Sequence, residues 1–139
     1  MTDTTAMFWP MIAHAFLVFI LYYLLSSRRV AAVRSGLVKA EQFRENLSEP
    51  AGSLLIHNNL KNQFELPMLF HVGVLATFIC NADNIGTILI AWIFVLSRYA
   101  HSYVHVTSNR LRLRRPLFMV GFAATFLLWA WLAVWLATS

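Results

Sequence analysis

The sequence predicts an all-α integral membrane protein built as a bundle of four transmembrane helices. Three observations carry that prediction. Of the 139 residues, 59% are hydrophobic and only 12% are charged, against about 25% charged in soluble domains. The apolar residues fall into four runs, each close to or above the ~20 helical residues that cross a hydrocarbon core. The cations avoid the same side of every run. A chain of this length predicts one domain. The single cysteine, Cys80, excludes an intrachain disulfide framework and any CxxC pattern.

The first span is expected over residues 7–25. It lacks a positive leading segment and a small-residue cleavage site, so it reads as a helix that stays rather than as a signal peptide. The second is expected over residues 64–81, with its helix beginning further inward and Ser53 as a candidate cap before LLIHNN. The third is expected over residues 85–106. The fourth is expected over residues 116–137, with Pro116 in its first turn, where a missing N–H costs nothing. Trp129, Trp131 and Trp135 in this last run predict an interfacial belt that anchors the helix in lipid. The segment from Arg28 to Pro50 is too polar to cross and predicts a connection lying among the headgroups.

Net charge is +5, which in a soluble chain would point to nucleic acid. Its distribution predicts a membrane topology instead, with no nucleic-acid partner. Arg28, Arg29, Arg34, Lys39, Arg44 and Lys61 lie between spans one and two, and Arg110, Arg112, Arg114 and Arg115 between spans three and four. The other connection and both ends carry none. By the positive-inside rule both basic connections are cytoplasmic and both termini are outside, and a bacterial inner membrane is the expected location.

Two polar stripes interrupt this apolar chain. In LIHNNLKNQFELP (55–67) a helix would place Asn58, Asn62 and Glu65 on one face, at i, i+4 and i+7. In RYAHSYVHVTSN (98–109) the residues Arg98, His101, Ser102, His105 and Asn109 share another. Charged groups inside spans are costly alone and call for partners, and Glu65 opposite Arg98 is the simplest pairing. His14 and His71 stand in apolar company and read as isolated packing residues.

The cluster admits several chemistries. His101 and His105 have the i, i+4 spacing of two metal ligands, but no HExxH is present and Arg98 beside them disfavours a cation, so no metal is assigned. A proton route is a second candidate, opposed by the wholly apolar outer half of every span. An anionic ligand is the third. Guanidinium groups pair with carboxylates, amides read peptide groups, and Glu65 would hold an ammonium. A small peptide with a free amine and two carboxylates matches that inventory.

The chain resembles the MAPEG family, four-helix membrane proteins of eicosanoid and glutathione metabolism. That family's second helix carries R-x3-N-x2-E, and NNLKNQFE (58–65) matches at Asn62 and Glu65, with Asn58 in place of the arginine. Its third helix often carries R-x2-H-x3-Y, and RYAHSYVH (98–105) matches at Arg98 and His101, with His105 in place of the tyrosine. The basic run RLRLRR (110–115) follows, and the aromatic near the site on the last helix is Phe118. The resemblance implies a homotrimer with glutathione bound between subunits near the cytoplasmic face. It implies thiolate stabilisation by Arg114, with Arg28, Asn58, Asn62, Glu65, Arg98, His101, His105 and Arg110 reading the tripeptide. It implies a glutathione transferase or peroxidase whose hydrophobic substrate arrives from lipid, or a non-catalytic lipid-binding or scaffold relative of the same fold.

Overall fold

The computed structural model describes residues 4–139, and among them every regular element is helical. A short 3₁₀ turn, Thr4–Met7, leads into α1 (Phe8–Arg34). A second 3₁₀ turn, Ala40–Phe43, interrupts the connection to α2 (Ala51–Asn62), which is followed by α3 (Leu66–Ile79), α4 (Ile85–Val106) and α5 (Leu111–Thr138). Three stretches are long and apolar enough to cross a membrane: Thr5–Arg34, Ile85–Val106 and Leu111–Thr138.

The third span has the predicted limits. The others need correction. Helix α1 runs nine residues past the expected end at Leu25, so Arg28, Arg29 and Arg34 belong to its last turns and not to a loop. Helix α5 begins at Leu111, which places Pro116 inside it as the sixth residue rather than in its first turn. The single span expected over residues 64–81 is replaced by two helices in series. Helix α3 has 14 residues and rises only ~21 Å, short of the ~30 Å core.

The break has a local cause. Pro67 lies in the first turn of α3. A proline ring collides with the carbonyl four residues earlier, here that of Gln63, and has no N–H to donate to it. Helix α2 therefore ends at Asn62, and Glu65 flanks α3 at φ −97°, ψ −102°. Ser53 is not the cap of α2, which starts after Pro50. Its hydroxyl donates to the Glu49 carboxylate and the Pro50 carbonyl from inside the first turn.

Two apolar clusters hold the bundle. Phe70 and Val74 of α3 meet Ala91, Phe94 and Val95 of α4 and Ala124 and Leu128 of α5, with Met7 closing one end. The rings of Phe70 and Phe94 stack at 3.9 Å. Leu17, Leu21 and Leu25 of α1 pack on Ile56 and Leu60 of α2. Lipid removes most of the hydrophobic drive between helices, so close packing and interhelical hydrogen bonds must supply the cohesion. Small residues permit it: a Cβ added at Gly121 would lie 2.9 Å from Ser97 Oγ, and one at Gly73 3.0 Å from Trp129 Nε1.

The tryptophans expected to anchor the last helix in lipid bond to the protein backbone. Trp129, Trp131 and Trp135 donate their indole N–H groups to the carbonyls of Leu69, Ala82 and Cys80 at 3.0, 2.8 and 3.2 Å. They staple α5 to α3 and to the turn after it, so the donors expected at the headgroups face the protein. That turn ends α3 with Asn81 at φ +52° and the Ala82 amide donating to Thr77 O. It opens α4 with a capping box between Asn84 and Thr87.

Candidate functional site

The interruption between α2 and α3 decides what the polar stripes become. Had one helix continued through residue 65, Asn58, Asn62 and Glu65 would have faced the same way. Instead Asn58 and Glu65 are exposed, Asn62 is half-buried, and the buried amides are Asn59 and Gln63. These two are also spaced i, i+4, and they differ from the expected pair by one residue. The NNLKNQ run carries both registers, and packing against α1 and α4 selects the second.

On α4 the predicted stripe holds: Arg98, His101, Ser102 and His105 are all buried. Asn109 lies beyond the helix end at φ +49°. Gln63 is the junction between the two walls. Its Oε1 accepts from Arg98 Nε at 3.4 Å, and its Nε2 donates to Asn59 Oδ1 at 2.8 Å and Ser102 Oγ at 3.2 Å. Asn59 Nδ2 donates to the Ser102 carbonyl, and Ser102 Oγ donates to Asn59 Oδ1.

Arg98 is fully buried and does not pair with Glu65. No ion pair joins them among the described residues. The guanidinium instead donates to Gln63 Oε1 and to the Asn62 carbonyl at 3.3 Å, and it lies 5.8 Å from the Phe118 ring centroid. Its remaining nitrogen, Nη1, has no partner among the described residues, and neither do His101 Nδ1 and His105 Nδ1. The two imidazoles pack edge to face at 5.6 Å.

Beside this wall lies a cavity of about 460 Å³ lined by Asn62, Glu65, His101, Leu111, Arg114, Arg115 and Phe118. Five residues singled out from the sequence therefore meet: Asn62, Glu65, His101, Arg114 and Phe118. Arg115 was not singled out, although the same basic run contains it. Asn109 Oδ1 accepts from Arg114 Nη1 at 2.6 Å and so fixes that guanidinium at the α4–α5 elbow. Arg28, Asn58 and Arg110 are exposed and lie outside this lining, and His105 is buried outside it.

An apolar groove of about 370 Å³ runs between α3 and α5, lined by Leu66, Leu69, Phe122, Thr125, Phe126 and Trp129. Leu66 follows Glu65 directly, and Phe122 stands one turn beyond Phe118, so the groove extends from the polar cavity towards the membrane interior.

Two further polar groups escaped the sequence reading. Glu49 takes a two-point ion pair from Arg29, with Nε to Oε1 at 3.0 Å and Nη2 to Oε2 at 2.6 Å. The hydrogen bonds from Arg29 hold the Glu49 carboxyl below its usual pKa of 4.5, reinforced by the Ser53 hydroxyl. Nothing in the local sequence marks this pair, because its partners are twenty residues apart. His14 and His71, expected to be isolated, are joined: His14 Nδ1 lies 2.9 Å from His71 Nε2, and His14 Nε2 lies 3.1 Å from Gln63 Oε1.

Comparison with known proteins gives one positive result. The sequence model described as the MAPEG family matches residues 7–134. No curated protein and no solved structure matches the chain.

Proposed function

The chain belongs to the MAPEG family, and from that premise we propose that it binds glutathione and turns its thiol on a hydrophobic electrophile, as a transferase or peroxidase. The observation that carries the proposal is the single cavity bringing together Asn62, Glu65, His101, Arg114 and Arg115. Its volume lies within the ~300–1,000 Å³ of small-molecule sites. Its chemistry fits the tripeptide group by group. Two guanidiniums suit carboxylates and a thiolate, Glu65 suits an ammonium, and the Asn62 amide suits a peptide bond.

Glutathione supplies the nucleophilic sulfur. The chain supplies charge and position. Arg114, held by Asn109, places a cation where it favours thiolate over thiol, and a free thiol of pKa ~8.5 would otherwise be mostly protonated at neutral pH. Arg115 and Glu65 orient the ends of the tripeptide. The apolar groove along α3 and α5 offers the second substrate a route from lipid. The assembly that goes with this reading is a homotrimer in a bacterial inner membrane, with the Arg114 end of the bundle cytoplasmic.

The test is the ultraviolet thiolate band on adding glutathione to the detergent-purified protein. A band is expected, and Arg114→Ala should abolish it and lower turnover by about 10²–10³-fold, the loss typical of one preorganised electrostatic group. Full activity in that variant would remove Arg114 from the mechanism. No band and no thermal shift with glutathione would favour a lipid-binding member of the family, a reading consistent with Phe118 carrying no hydroxyl and Asn58 facing away from the cavity.

A further inference from the structure

We propose that the His14–His71 pair forms a second ligand site, separate from the Arg114 cavity, that binds the hydroxyl group of a membrane amphiphile. The pair lies at a cavity of about 270 Å³ between α1 and the α2–α3 break, lined by His14, Ala15, Val18, Phe19, Gln63, Phe64, Met68 and His71. Apart from the two imidazoles and the amide, everything that lines it is apolar. The glutathione reading makes no use of it.

The hydrogen-bond network dictates what this cavity recognises. Gln63 has one possible orientation: its oxygen accepts from the Arg98 guanidinium, which is only a donor, and its nitrogen donates to Asn59 Oδ1. The same oxygen therefore takes the Nε2–H of His14 at 3.1 Å. A neutral imidazole carries one N–H, so His14 Nδ1 is an acceptor. His71 Nε2–H must then donate to it across the 2.9 Å contact. That leaves His71 Nδ1 with a lone pair and no partner among the described residues, on a half-buried ring that lines the cavity.

The tautomers of both rings are thus set from Arg98 outward, through Gln63, and the chain ends in an acceptor on a half-buried ring that lines an otherwise apolar cavity. A polar atom in that position calls for a hydrogen-bond donor. A carboxylate or phosphate has no donor to offer and would meet the lone pair with like polarity. A hydroxyl fits. Because Gln63 is an amide, it does not pass a proton on, so the array binds and does not conduct. The cavity volume accommodates a headgroup with the start of its chain, and Val18, Phe19, Phe64 and Met68 provide the apolar walls that chain would follow into lipid.

Two sources share this chemistry, an aliphatic alcohol and a phenol. The experiment uses the full chain in lipid nanodiscs with ¹⁵N-labelled histidine. It titrates a long-chain primary alcohol, a long-chain alkylphenol and the methyl ether of each. The expected result is a saturable shift of the His71 Nδ1 resonance with a hydroxyl compound and about a five- to tenfold weaker response to its ether, the cost of losing one hydrogen bond. A shift with only one hydroxyl compound identifies the source, and a shift with both defines the hydroxyl as sufficient. His71→Phe should abolish the discrimination. Ala15→Phe, which fills the cavity and leaves the imidazoles intact, should abolish binding while both Nε2–H signals persist. Equal responses to alcohol and ether, the absence of a saturable shift, or an Nδ1–H tautomer of His71 in the free protein would each overturn the proposal.

Discussion

Arg98 shows how a charge is kept inside this bundle without a carboxylate. Its Nε and Nη2 donate to an amide oxygen and a backbone carbonyl, and an aromatic face lies against it. Gln63 is the residue on which this depends: its oxygen accepts from His14 and Arg98, and its two amide hydrogens are shared among Asn59 and Ser102. At ~0.6 kcal/mol per transmembrane hydrogen bond, Gln63→Leu is expected to destabilise the protein by about 2 kcal/mol, read from thermal unfolding in detergent. A loss below about 1 kcal/mol would mean that the network is not what holds α2 against α4. The Glu49 carboxylate makes a second residue-level prediction. Its folded pKa is depressed by Arg29, so the stability it contributes is complete above the ordinary value of 4.5 and is lost as pH falls through the depressed one. Melting temperature should drop across that acidic window, and Glu49→Gln should flatten the drop while lowering stability at neutral pH.

At the scale of elements, the α4–α5 pair is the frame on which the candidate site is mounted. Gly121 lets α5 approach α4 beside Ser97 and Arg98, and a methyl group there would meet Ser97 Oγ at 2.9 Å and Arg98 Cδ at 3.6 Å. The serine cannot simply turn away, since its hydroxyl donates to Phe94 O at 2.6 Å. Gly121→Ala is therefore expected to cost about 1–3 kcal/mol by overpacking. Adding Ser97→Ala should recover most of it, a coupling visible in a double-mutant cycle. Additive effects would place the strain elsewhere. The α2–α3 break is the other decisive element. It falls at Pro67, which has no N–H to bond the Gln63 carbonyl, and it exposes Glu65 to the cavity while turning Gln63 inward.

At the scale of the whole molecule, three long apolar helices and one broken helix pair surround a polar layer confined to one end. The large exposed apolar side chains of α1 and α5, among them Phe16, Phe19, Phe122 and Phe126, suit lipid or neighbouring copies. The homotrimer proposed above predicts that native mass spectrometry of the detergent-released protein shows three chains. A monomer retaining the glutathione thiolate band would separate the chemistry from the assembly.

Much of this was legible in the sequence because it depends on composition and local pattern. Hydropathy located the bundle, and α4 has the predicted ends because Asn84 caps it and no proline breaks it. The α4 stripe from Arg98 to His105 followed from helical periodicity alone. The family followed from two motifs in one chain of four apolar runs. What the sequence could not decide was register and partnership. NNLKNQ offers two equally spaced pairs of amides, and the surfaces of α1 and α4 chose Asn59 and Gln63 over Asn58 and Asn62. His14 met His71, and Arg29 met Glu49, across separations that no local pattern encodes. The tertiary structure decided these because a buried polar group is stable only where a partner already waits, and that depends on how helices distant in sequence pack.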